Sequence, residues 1–83
     1  MEEKVRVYAL STCSHCKAAR RFLAENDIAY DCTEVDLLGP AERAAVLEDV
    51  KKLNPRLSFP TIVIGRTVIV GFREQEIREA LGL

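Results

Sequence analysis

Little in this chain is in excess, and each shortage removes a class of function. No apolar run approaches the roughly 20 residues that a membrane helix needs, so no membrane partner is expected. Lysine and arginine total 12 against 13 aspartate and glutamate, a formal net charge of -1. A chain without basic excess lacks the clustered positive surface that phosphate contacts require, which argues against general nucleic-acid binding. The opening MEEKVRVYAL puts acids first and has no small-residue cleavage site, so it does not read as a signal peptide, and the cytoplasm is the default location. Repeats, low-complexity tracts and linkers are missing. The 83 residues are therefore read as a single domain, 1–83. Cysteine is scarce too: Cys13, Cys16 and Cys32 are an odd, low number, unlike a secreted disulfide framework.

What is present is an ordinary globular mixture, 48% hydrophobic and 30% charged, in a chain too short for more than modest stability. Val5 to Ala9 (VRVYA) reads as a first strand. From Ser14 to Asn26, Ala18, Ala19, Phe22 and Leu23 recur on one side of a helix, with Lys17, Arg20, Arg21 and Glu25 elsewhere. Ala29 to Val35 reads as a second strand and Asp36 to Pro40 as a loop. Pro40 suits the first turn of a helix that runs on to Leu53, with Val46, Leu47, Val50 and Leu53 at helical spacing and Asn54-Pro55 as its stop. TIVI (Thr61 to Ile64) and TVIV (Thr67 to Val70) flank Gly65-Arg66, the signature of a two-residue hairpin. Both runs are apolar on both faces, so the sheet they join should be covered on both sides. Arg73 to Leu81 closes the chain as a short helix with Ile77, Ala80 and Leu81 inward. The order is β-α-β-α-β-β-α, with a parallel, right-handed first βαβ unit.

Thr12-Cys13-Ser14-His15-Cys16 falls between the first strand and the first helix. Cys13 sits at the helix entrance, and Cys16 lies one turn on, close enough to meet it. The unpaired N–H groups and positive dipole end of a helix favour an anion at Cys13, and Lys17 and His15 can add positive charge. The thiolate is the nucleophile, and such sites lower a cysteine's pKa. Cys13 should then attack a disulfide, and Cys16 should displace the product. Other readings stand beside this one. Both cysteines could be small hydrophobes near a helix start. A zinc site needs about four ligands, and Cys32 and His15 are the additions on offer, but His15 lies inside the pair. His15 is either a solvated surface residue or a group that stabilises the Cys13 thiolate and makes the disulfide more oxidising. Cys32, on a strand, reads as structural.

Ser58-Phe59-Pro60-Thr61 precedes the third strand, where a proline is tolerated as the first residue. Its bland reading is a strand-start proline. The cysteine pair and this topology favour a cis Phe59–Pro60 bond that turns the Phe59 backbone outward to pair with an extended substrate.

Together these residues resemble the glutaredoxin family of the thioredoxin fold, over about Val5 to Leu81. The matching marks are the strand before Cys13-Ser14-His15-Cys16, Pro60 ahead of TIVI, and Gly71 between the last strand and helix. The resemblance implies a thioredoxin-like α/β fold, a four-stranded mixed sheet with helices on both faces. It also implies a dithiol–disulfide oxidoreductase acting on protein disulfides and glutathione mixed disulfides, with Cys13 as nucleophile and Cys16 as resolving residue. Thr12, Ser14, His15, Phe59, Pro60, Gly71, Phe72 and Arg73 are its candidate substrate-binding residues. A monomer with no cofactor and no metal is expected. Three departures qualify this. Ser14-His15 replaces the Pro-Tyr often found between the cysteines, and serine there goes, in some members, with an iron–sulfur cluster held by Cys13 of two subunits and glutathione. Leu10 stands where many glutathione-binding members carry lysine. Gly71-Phe72-Arg73-Glu74 replaces the usual Gly-Gly-Cys/Ser-Asp and resembles NrdH-type redoxins, which take electrons from thioredoxin reductase. The donor is thus either glutathione or a thioredoxin-reductase-type protein.

Overall fold

The computed structural model describes residues 4–83. Glu2 and Glu3, whose charge argued against a leader, lie outside the described residues. The elements are β1 (Val5–Ala9), α1 (Ser14–Glu25), β2 (Asp31–Glu34), α2 (Pro40–Leu53), β3 (Thr61–Ile64), β4 (Thr67–Val70) and α3 (Glu74–Leu81), with one 3₁₀ turn at Val35–Leu37. They build one four-stranded mixed sheet in the order β2-β1-β3-β4, with helices on both faces as expected. β1 pairs in parallel with β2 and antiparallel with β3, and β3 pairs antiparallel with β4.

The period-2 alternation of β1 sends Val5, Val7 and Ala9 to one face, where Ile62, Ile64 and Ile69 join them across the ladder. Against this face lie Cys16, Ala19, Phe22 and Leu23 of α1 and Ile77 of α3, in a single buried cluster. The opposite face carries Thr61 and Val63, both buried, and α2 reaches it through Asn54, whose Nδ2 donates to Thr61 Oγ1. Gly65, at φ 59, opens the β3–β4 hairpin in the left-handed region that glycine adopts without strain.

Several boundaries differ from the sequence pattern, each for a local reason. β2 is shorter than Ala29 to Val35, because β1 ends at Ala9 opposite Glu34 and leaves Val35 without a ladder partner. Val35 buries itself in the 3₁₀ turn instead, so the stretch after β2 is not simply a loop. α1 ends at Glu25 with Asn26 as its cap, and Arg73 caps α3 rather than beginning it. Of the apolar stripe on α2, only Val50 is fully buried. TIVI is buried on both faces, but TVIV is not. As the sheet's edge, β4 leaves Thr67 exposed and Val68 and Val70 half-buried. Among the described residues, no helix is long and apolar enough to cross a membrane.

Candidate functional site

Cys13 is the N-cap of α1. Its backbone is extended (φ -83, ψ 120), its N–H donates to the Leu10 carbonyl at 3.2 Å, and its carbonyl accepts from Lys17 N–H at 3.1 Å. An N-cap side chain normally offers an oxygen to the N–H of the second or third helical residue. Here the acceptor is sulfur: Cys16 N–H donates to Cys13 Sγ at 3.3 Å. That donor and the helix dipole both favour negative charge on this sulfur. Cys13 is half-buried and reachable, whereas Cys16, one turn further in, is 1% exposed and packs into the core. Burial first, and then the hydrogen bond to Cys13, push the Cys16 thiol up to about 12. Both thiols are free.

Phe59 and Pro60 come to the same place from the far side of the chain. The Phe59–Pro60 bond is cis, as the sequence reading expected, and the Phe59 carbonyl oxygen faces Cys13 Sγ at 3.9 Å. Gly71, at φ 86, donates its N–H to the Pro60 carbonyl at 2.8 Å, which ties the β4–α3 turn to the proline. Thr12, Ser14 and His15 are exposed around Cys13. Phe72 turns inward: its ring packs 6.0 Å from that of Phe22, the arrangement of a packing residue. Arg73 is exposed, with its Nε 3.3 Å from the Val70 carbonyl and 3.5 Å from Glu76 Oε2. The structure thus brings Cys13, Cys16, Phe59, Pro60 and Gly71 together. Phe72 and Arg73 continue from Gly71, but one packs inward and the other pairs along its own helix.

Two supports were not legible in the sequence. Ser11 donates from its N–H to Asp36 Oδ1 at 2.9 Å and from its hydroxyl to Asp36 Oδ2 at 2.5 Å, so the turn before Cys13 is tied to the 3₁₀ turn after β2. Those hydrogen bonds hold the Asp36 carboxyl below its ordinary range. Asn54, 3% exposed, donates to the Ser58 carbonyl, Ser58 Oγ and Thr61 Oγ1, each at 3.1 Å, and its Oδ1 accepts from Arg56 N–H at 3.2 Å. It shapes the segment that delivers Phe59 and Pro60. In the sequence Asn54-Pro55 reads only as the stop of a helix, which gives no sign of this role. Cys32 is half-buried against the core, and burial raises its pKa. Among the described residues, no three or more His, Cys, Asp or Glu side chains converge to hold a metal.

Residues 5–69 match the family model described as Glutaredoxin. The chain belongs to the glutaredoxin family. This glutaredoxin is similar to the crystal structure of Methanosarcina acetivorans methanoredoxin at 38% identity and a TM-score of 0.94, over 99% of this chain and 87% of that one. It is similar to the glutaredoxin of Methanosarcina mazei Go1 at 43% identity and a TM-score of 0.89, over 96% of this chain and 79% of that one. Among curated proteins, it is 29% identical over 73 residues to an uncharacterized glutaredoxin-like 8.6 kDa protein of Clostridium pasteurianum, covering 88% of this chain and 91% of the relative. The fold is thioredoxin-like, and the protein is a thiol–disulfide oxidoreductase, as the resemblance implied.

Proposed function

We propose that this glutaredoxin reduces protein disulfides and mixed disulfides through Cys13 and Cys16, with Cys13 as nucleophile. The observation that carries the reading is the opposed placement of two sulfurs three residues apart. One caps a helix, accepts an N–H and is only half-buried; the other is buried, and its thiol is pushed up to about 12. The Cys13 thiolate attacks one substrate sulfur. The substrate S–S bond breaks, a mixed disulfide forms, and the leaving thiolate takes a proton from water. Burial is the larger cause of the raised Cys16 pKa, and the attack removes the second, the interaction with the Cys13 sulfur. Cys16 then gives its proton to water and attacks Cys13 Sγ; the Cys13–substrate S–S bond breaks, and the second substrate sulfur leaves as a thiolate that takes up a proton. Two electrons have passed to the substrate, and the protein holds a Cys13–Cys16 disulfide.

On this reading Thr12, Ser14, His15, Phe59, Pro60 and Gly71 line the substrate path, Arg73 lies at its outer edge, and Phe72 supports it from beneath by packing on Phe22. The protein works as a one-domain monomer in a reducing cytoplasm. The preferred electron donor is a thioredoxin-reductase-type protein rather than glutathione. Glutathione's carboxylates need charge at fixed places, but Leu10 supplies none, the Phe72 ring is turned into the core, and Arg73 is engaged with Glu76. Losing one good ionic contact costs about 1.5–3 kcal/mol, roughly 10–150-fold in affinity.

The test offers the oxidised protein glutathione with its reductase, or thioredoxin reductase with NADPH, at matched driving force. Faster reduction by thioredoxin reductase is expected. Rapid reduction by millimolar glutathione with none by thioredoxin reductase overturns the donor assignment. Cys16→Ser should trap the substrate on Cys13 as a mixed disulfide, and trapping on Cys32 instead removes Cys13 from its role.

A further inference from the structure

The near-zero net charge of the chain conceals a polarity between two helices on the same face of the sheet. α1 carries Lys17, Arg20 and Arg21 with one acid, Glu25, whereas α3 carries Glu74, Glu76 and Glu79 with one cation, Arg78. Lys17, Arg20, Arg21 and Ala24 share one side of α1 at helical spacing and, with Tyr30, line a shallow groove. Arg20 is half-buried there and reaches Glu34 only at 3.8 Å. Lys17 and Arg21 are exposed, and among the described residues no carboxylate lies within 4 Å of either, Glu25 included. Lys17 stands one turn into the helix, at the end whose dipole disfavours a cation. Arg20 is thus partly engaged by Tyr30 and Glu34, whereas Lys17 and Arg21 make no ion pair among the described residues, and the cluster begins one helical turn beyond Cys13.

We propose that the groove lined by Lys17, Arg20, Arg21 and Tyr30 docks an acidic stretch of polypeptide flanking the disulfide under reduction. The inference rests on the oxidoreductase reading above and specifies its substrate class. Charge complementarity selects the occupant, and the geometry sets its register. Along α1, Lys17 is about 6 Å and Ala24 about 16 Å beyond Cys13, at 1.5 Å per residue. An extended peptide advances about 3.3 Å per residue, so the matching acids fall roughly two to five positions from the substrate cysteine. Three cations within about 12 Å of the reacting sulfur along the helix raise the rate of encounter, an effect that salt screens.

Synthetic peptides with a mixed disulfide to a chromogenic thiol test this directly. One set carries aspartates at positions two to five from the cysteine, on either side. A second carries them eight to eleven positions away, and a third is uncharged. The near-acid set on one side should react about 5- to 10-fold faster than the uncharged set in low salt, with the advantage collapsing at about 0.5 M salt. Arg21→Glu should reduce the near-acid to uncharged rate ratio to one or below, and Arg21→Lys should restore it. Equal rates for near-acid, far-acid and uncharged peptides overturn the docking site while leaving the cysteine chemistry standing. No reaction with any peptide overturns the oxidoreductase reading and, with it, this inference.

Discussion

Burial and the neighbouring Cys13 sulfur act in the same direction on Cys16, and that single fact divides the labour of the pair. A thiol held up at about 12 is a poor nucleophile at neutral pH, so the first attack falls to the sulfur that caps the helix. Cys32 is also pushed upward by burial. Iodoacetamide at mildly acidic to neutral pH should therefore modify Cys13 first, with Cys16 and Cys32 following much more slowly. Mass mapping of partly alkylated protein reads the order directly, and Cys32 modified ahead of Cys13 contradicts it. At this scale the sequence was highly legible. The pair is local, and a strand followed by a helix leaves Cys13 only one place to be. What the sequence did not show is how each thiol is surrounded, because Phe59 and Cys32 reach the pair only through the fold.

At the scale of elements, the site depends on two ties that no local pattern predicts. Asp36 meets Ser11 across 25 positions, and Asn54 meets Thr61 across a turn, so neither partner can be read from spacing. Strand positions and the hairpin were legible because period-2 burial writes them into the sequence; β2 was overread because its end is set by where β1 stops. The Asp36 tie has a definite pH signature. Its carboxyl is held below its ordinary value by Ser11, so the charged form is the one that stabilises the fold. Its contribution is complete above the unfolded value of about 3.9 and fades as pH falls through the lower folded value. Asp36→Asn should be less stable than the parent at pH 7, and the gap should close in acid. Urea melts at pH 7 and pH 3 measure this, and a gap that widens in acid contradicts it. Asn54→Ala removes a buried donor that serves three oxygens, at a cost of about 1–3 kcal/mol. Because Asn54 shapes the Phe59–Pro60 segment, kcat/KM for disulfide reduction should fall as well, under conditions where the variant remains folded.

Across the whole molecule, the two faces of the sheet are unequal. Val5, Val7, Ala9, Ile62, Ile64 and Ile69 meet two helices in one continuous cluster, to which Leu23 and Ile77 each bring a side chain with 0% exposure. On the other face α2 contributes Val50 alone as a fully buried residue, and its other apolar residues remain half-exposed or exposed. A helix held by so little buried area gains little from tertiary packing, which is where most helical stability in proteins arises. Ile77→Ala should therefore cost about 2–5 kcal/mol, and Val50→Ala about 1–2 kcal/mol, since it deletes two methyl groups rather than a larger side chain. In a short chain of modest stability, the first loss consumes much of what holds the fold. The same inequality predicts how the molecule opens. Amide exchange in the middle of α2 should proceed through local opening at a lower free energy than exchange in the middle of α1. Segments 40–53 and 14–25 report this in exchange mass spectrometry. Equal protection in both, or stronger protection in α2, overturns the ranking. The direction matters for chemistry, because α1 holds Cys13 and Cys16 and must keep its N-terminal N–H groups in place while α2 fluctuates. The most protected helix should be the one that carries the sulfurs.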